Sequence, residues 1–575
     1  MRTRWRGGVP RWGTCMGKNK KKFSDAPAPD LAPAVLRRAW LADALIILAA
    51  LAVFWPAAGG GFVNWDDPDY VTGNPSIVNP GWGGVFSAAS TASAIVLYHP
   101  LTLALYKLIY MAAGPAPSAF HCAGIALHLV CCVLFRRFAL ALGLDFYGAL
   151  FAGLLFAVHP LRAESVAWIS GMKDPLCGAF FFGSLLLYLK RTRTGLAASA
   201  ALFAAALLSK PAIAGGVFIF PLLDWHEKRG LRLPEKTPYF IAAAAVTALT
   251  FRTGSFFLPR QAAASSAAGM LAAFGPGALF YLKKILLPSG LCAVYPLAAS
   301  GAGATAALAA FGALLLRLKE RLYAFGFAFF CLALAPALAF YHVAPADRYS
   351  YIPAAGIFLM AGAAFARFYG CARKPALACA AAAALALGWQ SADRVKAWNS
   401  SLSLWNDAAR TCAESGDARL YSVIYSNRGA ANLDAGNREA AAEDFTAALQ
   451  FARDGGIRAE IFRRRGRALL ASGRAEEAAG DFTRSLELKP GQPAVCNDRG
   501  AVYTALGRYN QAIDDYSRAI AQAPGFADAY ANRGIAYGKS GRHAQALEDF
   551  NKALSLSPDN ALARAGLNAA RRHLQ

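Results

Sequence analysis

At 575 residues, 56% hydrophobic and 16% charged, with a mean hydropathy of +0.33, the chain is too apolar for one water-soluble globule; such proteins carry about 25% charged residues. The formal charge of +24 does not mark nucleic acid as a partner, because the surplus is not gathered on one binding face. Residues 1–38 hold ten Lys/Arg against Asp25 and Asp30, and much of the rest sits in short loops between apolar segments, as the positive-inside rule expects.

The eleven cysteines show no metal-type Cys/His spacing. Most lie in apolar segments, where they serve as small apolar residues, and nothing marks Cys412 and Cys496 of the polar tail as partners.

In chain order, the basic start predicts a cytoplasmic N-terminus. No small-residue cleavage site follows the first apolar segment closely, so the start does not read as a cleavable leader. Met16 is a second candidate initiator. Charge asymmetry then predicts about eleven spans with the C-terminus outside: Trp40–Pro56, Phe120–Leu134, Tyr147–Val158, Pro175–Leu189, Leu196–Leu208, Ala212–Leu223, Tyr239–Phe251, Ala304–Leu316, Leu322–Phe340, Ala354–Phe368 and Ala376–Gly388. The segment 94–111 is amphipathic and predicts a helix lying on the outer surface. The apolar stretch 270–287 is expected to be re-entrant, since one more crossing there reverses every later loop.

This topology gathers charge on one face. The acidic knot Asn64-Trp65-Asp66-Asp67-Pro68-Asp69 follows the first span, and Arg162, Glu164, Lys173, Asp174, Lys210, Asp347 and Arg348 fall in loops on the same side. Outer Arg and Lys run against the usual charge bias, so they need another reason to be there. Each also has a structural reading. The acidic knot can be a turn or helix cap, His159-Pro160 a helix end, Asp347-Arg348 an ion pair, and Lys283-Lys284 an interfacial anchor.

The tail repeats itself. Asn427-Arg428-Gly429, Arg465-Gly466, Asp498-Arg499-Gly500 and Asn532-Arg533-Gly534 mark one point in successive units, and Pro490, Pro524 and Pro558 recur at 34 residues. Gly436, Gly473, Gly507 and Gly541 fall at the turn inside each unit. That period with small and aromatic positions is the tetratricopeptide signature, and such arrays bind extended peptides or serve as spacers. The expected organisation is a basic segment 1–38, a multi-span domain 39–392 with its first outer loop at 59–118, a linker helix 393–420, four repeats 421–558 and a capping helix 559–575. The fold class is all-α: a polytopic membrane domain followed by an α-solenoid.

The set Asn64-Trp65-Asp66-Asp67-Pro68, Tyr98-His99-Pro100-Leu101-Thr102, His159-Pro160-Leu161-Arg162-Ala163-Glu164-Ser165-Val166-Ala167-Trp168, Ser209-Lys210-Pro211 and Ala346-Asp347-Arg348-Tyr349-Ser350-Tyr351-Ile352-Pro353 resembles the transmembrane and tetratricopeptide-repeat proteins. The family includes eukaryotic O-mannosyltransferases and bacterial homologues. The resemblance implies a GT-C glycosyltransferase fold with its active site on the extracytoplasmic side of the cytoplasmic membrane. It also implies a polyprenyl-phosphate-linked sugar donor, and a first-loop carboxylate as base, matching either Asp66 or Asp67.

On that reading the acceptor is a protein Ser/Thr hydroxyl, and the repeats, on the same side, recruit it. Arg162, Lys173, Lys210 and Arg348 are the candidates for the donor phosphate; Glu164 orients an Arg or the acceptor, and Asp347 belongs with Arg348 to the phosphate-binding set. A divalent cation on the Asp66–Asp67 pair is optional, because no further ligand set is evident. Two other classes stay open: a membrane scaffold that organises an envelope complex, and a glycolipid ligase or transporter.

Overall fold

The computed structural model describes residues 33–87, 98–252, 267–296, 302–318, 320–340, 345–412 and 417–573. The basic segment before residue 33 and Met16 lie outside them. Among the described residues every regular element is helical and there is no strand.

The first part holds α1 (Pro33–Phe54), α2 (Pro100–Ala113), α3 (Pro117–Ala141), α4 (Phe146–Val158), α5 (Lys173–Leu189), α6 (Arg193–Ser209), α7 (Ile219–His226) and α8 (Leu233–Arg252). It continues with α9 (Ala267–Leu286), α10 (Ala302–Leu316), α11 (Arg321–Phe340), α12 (Ala354–Cys371) and α13 (Arg373–Ala397).

Six described helices are long and apolar enough to cross a membrane, and seven if the pair Phe146–Val158 and Pro160–Ala167, bent by 53°, is one span. These are Ala39–Gly59, Pro117–Ala141, Ile169–Leu189, Arg321–Leu338, Ala354–Cys371 and Arg373–Ala397. The chain is thus a multi-pass membrane protein, but the expected count of about eleven is not established. Helices α2, α6 and α10 are apolar but shorter than these six.

Two expectations need correcting. The segment Ala212–Leu223 is not an α-helical crossing: Pro211–Phe218 is a 3-10 stretch that leads into α7. Pro211 removes a backbone donor, and Gly215 and Gly216 sit against Leu332, Pro336 and Phe181 with no room for a Cβ. The Tyr147–Val158 segment does not open into a free loop either. His159 ends α4, and the chain packs back through buried short turns as far as Met172.

Close helix approach uses small residues, as in membrane bundles generally. A Cβ on Gly326 of α11 would stand 2.4 Å from the Gly356 carbonyl oxygen of α12, and one on Gly356 would stand 2.1 Å from that of Gly326. Aromatic packing of Phe135, Phe138, Phe156, Phe182 and Phe329 fills the interior. Arg136 is buried and donates to Asp43, fastening α3 to α1 at 2.6 Å.

Beyond α13 come α14 (Ser401–Cys412) and the helices of the tail: α15 (Ala418–Asp434), α16 (Arg438–Phe451), α17 (Gly455–Ala471), α18 (Ala475–Leu488), α19 (Pro493–Ala505), α20 (Tyr509–Gln522), α21 (Ala527–Lys539), α22 (His543–Leu556) and α23 (Ala561–Arg572). They stack as antiparallel pairs. Gly436, Gly473, Gly507 and Gly541 turn the chain within each pair at φ between 74° and 82°, a left-handed conformation that favours glycine.

The Gly of each Arg-Gly motif has another duty. A Cβ at Gly429, Gly466, Gly500 or Gly534 would press on the ring of Phe445, Phe482, Tyr516 or Phe550. The preceding Arg makes a rung: Arg465 to Asp481, Arg499 to Asp515 and Arg533 to Asp549, all at 2.7–2.8 Å through Nε, with Arg428 to Asp444 completing the series.

Candidate functional site

The acidic knot is shaped from both sides. Gly61 N–H donates to the Asn399 carbonyl at 2.9 Å, Asn64 N–H donates to Ser401 Oγ at 2.9 Å, and Trp405 Nε1 donates to Asn64 Oδ1 at 2.7 Å. Asn64 Nδ2 reaches the Asn427 carbonyl of α15 at 3.0 Å, and the Trp65 and Trp405 rings meet edge to face at 5.0 Å. The first half of the motif therefore clasps the helices that lead into the repeats.

The two carboxylates that follow have different surroundings. Asp67 is fully buried, with Oδ2 accepting from Val63 N–H at 2.8 Å and Oδ1 accepting from Ser170 N–H at 3.0 Å and Ser170 Oγ at 2.5 Å. It pins the loop to the turn before α5. Burial lifts its carboxyl to about 6, the three hydrogen bonds opposing the shift. Asp66 is half-buried, and its charge acts on Tyr70, Lys173 and Arg348.

Lys173 opens α5. Its Nζ lies 3.3 Å from Tyr70 Oη, 4.4 Å from the Tyr70 ring centroid and 5.7 Å from that of Trp168. The Tyr70 phenol, pushed well up by burial and then by Asp66, stays protonated. Arg348 is fixed by Glu164, whose Oε2 accepts from the Arg348 backbone N–H at 2.8 Å and whose Oε1 takes Nη1. Burial pulls the guanidinium down, but Glu164, Tyr349 and Asp66 hold it well above its ordinary value, so it is a permanent cation. Its face rests on Trp168 at 5.3 Å and Tyr349 at 5.1 Å.

Lys210, at the end of α6, pairs with Asp174 and lies 5.4 Å from the Tyr349 ring. With Arg348 the pair lines a cavity of about 30 Å³ into which Asp174 Oδ2 is buried without a partner.

Asp66, Glu164, Lys173, Lys210 and Arg348 thus converge, and Asp67 supports them from behind. Two expected members do not join. Arg162 is fully buried among Phe156, Tyr351 and Phe358 and donates to the Tyr351 carbonyl at 2.5 Å, so it props the 347–353 turn from beneath. Asp347 turns the other way and accepts from Tyr295 Oη at 2.6 Å. Burial and then the Glu164 carboxylate lift Asp347 to about 7, against Arg394, Tyr295 and Lys284. Asp347 and Arg348 are accordingly not an ion pair with each other. Lys284 ties down the Ser289 and Gly290 carbonyls at 2.6 and 2.8 Å rather than standing free.

Both Asp67 oxygens accept hydrogen bonds. Among the described residues no group of three or more His, Cys, Asp or Glu is placed to hold a metal.

Sequence reasoning missed Tyr70, Ser170, Trp168 and Tyr349. Trp168 and Tyr349 lie inside motifs it quoted, but their ring character reads as membrane-belt decoration until the cations are seen on them. It also missed the disulfide: Cys412 pairs with Cys292, joining the end of α14 to the segment after α9.

The family models for "Tetratricopeptide repeat" and "TPR repeat" match residues 527–560 and 500–541. The tail is a tetratricopeptide-repeat array.

Curated relatives carry the comparison further. The chain is 35% identical over 116 residues to the Mus musculus protein O-mannosyl-transferase TMTC2, a stretch covering 20% of this chain and 14% of that protein. It is 30% identical over 188 residues to Mus musculus TMTC4, covering 28% and 25%, and 30% identical over 162 residues to the Caenorhabditis elegans protein O-mannosyl-transferase F38B6.6, covering 25% and 23%. The chain thus matches a quarter or less of the length of these relatives. Among solved structures, YrrB, described as a TPR protein with an unusual peptide-binding site, is 23% identical with a TM-score of 0.26, covering 29% of this chain and 82% of that one. MamA is 23% identical with a TM-score of 0.25, covering 28% and 89%.

Proposed function

We propose that this protein is a membrane glycosyltransferase that moves a sugar from a polyprenyl-phosphate carrier to a protein Ser/Thr hydroxyl on the extracytoplasmic side, with the repeat array recruiting the acceptor. The observation that carries the reading is the placement of Asp66, a half-exposed carboxylate set against the cations of Lys173 and Arg348. Asp66 is the base: it takes the acceptor proton as the glycosidic bond forms. Asp67 is spent on holding the loop.

Lys173 and Arg348 stabilise the charge that grows on the departing lipid phosphate, in a site where water is scarce. Lys210 extends that positive surface, held by Asp174. Glu164 aims Arg348 through two contacts. Direct displacement inverts the anomeric centre. Similarity to named protein O-mannosyl-transferases supports a hexosyl, mannosyl-type transfer.

Two observations support the sidedness. The Cys292–Cys412 bond suits an oxidising compartment, and Asn64 joins the acidic loop directly to α15, the first helix of the array.

The test is glycoproteomics of envelope proteins in a strain lacking the protein, complemented by wild type or by Asp66→Asn. Glycosylation restored by wild type and not by Asp66→Asn is expected. Unchanged glycosylation in every strain sinks the enzyme reading and leaves the scaffold.

A further inference from the structure

Helices α1, α4, α12 and α13 enclose an open groove of about 680 Å³, lined by Leu45, Ala49, Phe151, Leu154, Ala384 and Leu385 among others. The lining is almost all hydrocarbon and aromatic ring. Helix α13 closes it loosely, with Leu385 and Trp389 74% and 75% exposed. Along α4 the lining runs from Tyr147 to Val158, about 16 Å at the helical rise. That is close to the depth of one leaflet of a hydrocarbon core about 30 Å thick.

Trp389 also lines a second cleft, of about 590 Å³, between the end of α13, the Pro288–Leu291 segment and α14. This one is charged: Arg394, Lys396 and Arg410 face it with Asp393 and Asp407. Lys396 pairs with Asp393 at 3.2 Å and Arg410 with Asp407 at 3.1 Å.

Arg394 is different. It is 8% exposed, and Asp407 takes its Nη1, yet Nε and Nη2 are buried without a partner. Unmet donors of a charged group cost more than those of a neutral one, so they are rarely left so without a use. Among the residues lining the cleft, three cations stand against two carboxylates, an excess of one positive charge that a monoanionic phosphodiester neutralises.

We infer that these two spaces are one site for a membrane glycerophospholipid, its phosphodiester on Arg394 and one acyl chain in the groove beneath Trp389. The site is separate from the Asp66 cluster, because Asp347 and Arg348 turn apart: Arg348 to Glu164, Asp347 to Tyr295 and the charge of Arg394. One acyl chain matches the groove's length; a polyprenyl chain far exceeds it. A lipid seated there braces α14, whose Asn406, Asp407, Arg410 and Thr411 line the cleft.

The experiment is native mass spectrometry of the full chain released from mild detergent. Wild type should retain a single phospholipid, and Arg394→Gln should lower its occupancy at least tenfold. Ala384→Trp fills the groove without touching the Arg394–Asp407 pair and should do the same, so the result stands even if Arg394→Gln does not fold. Retention of a polyprenyl lipid instead, no retained phospholipid in wild type, or wild-type occupancy in both folded variants overturns the assignment.

Discussion

Asp66 and Asp67 are neighbours in sequence with opposite employment, and substitution should separate them. Asp66→Asn is expected to lower transfer at least a hundredfold, the scale of a lost general base, with an unchanged melting temperature in detergent. Asp67→Asn keeps one acceptor oxygen but turns an amide toward a donor, so it should destabilise the fold by about 1–3 kcal/mol and lower activity only through folded fraction. A sugar-transfer assay run beside thermal unfolding distinguishes the two, and equal loss of rate at equal stability contradicts the division.

The pH dependence has a definite sign. Asp67 is raised to about 6 in the folded protein, so its favourable contribution is complete below the unfolded carboxyl value of about 4. It is lost as pH rises through about 6. Asp347, raised to about 7, adds a second loss of the same sign over a slightly higher window. Unfolding measured between pH 4 and 8 should show stability falling with pH, and Asp67→Asn should flatten the lower part of the slope.

At the scale of elements, the interest lies in α14, where two of the ties to the membrane part can be tested separately. One is the Asn64–Trp405 hydrogen bond with the Trp65 ring beside it. The other is Cys292–Cys412, which closes a loop of 120 residues. A disulfide typically contributes about 2–4 kcal/mol, so Cys412→Ser or reduction should lower the melting temperature measurably while leaving Asp66 in place. Trp405→Ala acts on the acidic loop itself. It should reduce kcat severalfold and leave the repeat helices folded by circular dichroism, whereas an unchanged kcat shows that the clasp does not position Asp66.

Within the array, the Arg–Asp rungs join paired helices, and Arg499 also reaches Thr483 of the preceding unit. Arg499→Ala leaves Asp515 buried without its cation, and the isolated repeats should unfold at lower denaturant by about 3–5 kcal/mol.

For the whole molecule, much was legible in the chain. The 34-residue period depends on local contacts between adjacent helices, so position in sequence is nearly position in space; Gly436 marks a turn and Gly500 a close packing by their place in the repeat. The long apolar runs also identified themselves, because a span must satisfy its own backbone and fill a fixed thickness. Span count was harder. Apolarity alone does not tell a crossing from a 3-10 stretch such as Pro211–Phe218, whose path is set by how Gly215 and Gly216 meet α11 and Phe181.

The sequence alone determined that this is a helical membrane protein with a repeat tail; that charges from distant loops gather on one face was an expectation from the charge bias of those loops. Only the tertiary structure divided the labour among them. Which carboxylate stays open depends on whether Val63 and Ser170 reach it, and Arg162 and Arg348 differ only in what surrounds them. The Ser170–Asp67 and Glu164–Arg348 contacts join residues 103 and 184 positions apart, so local pattern carries no record of them.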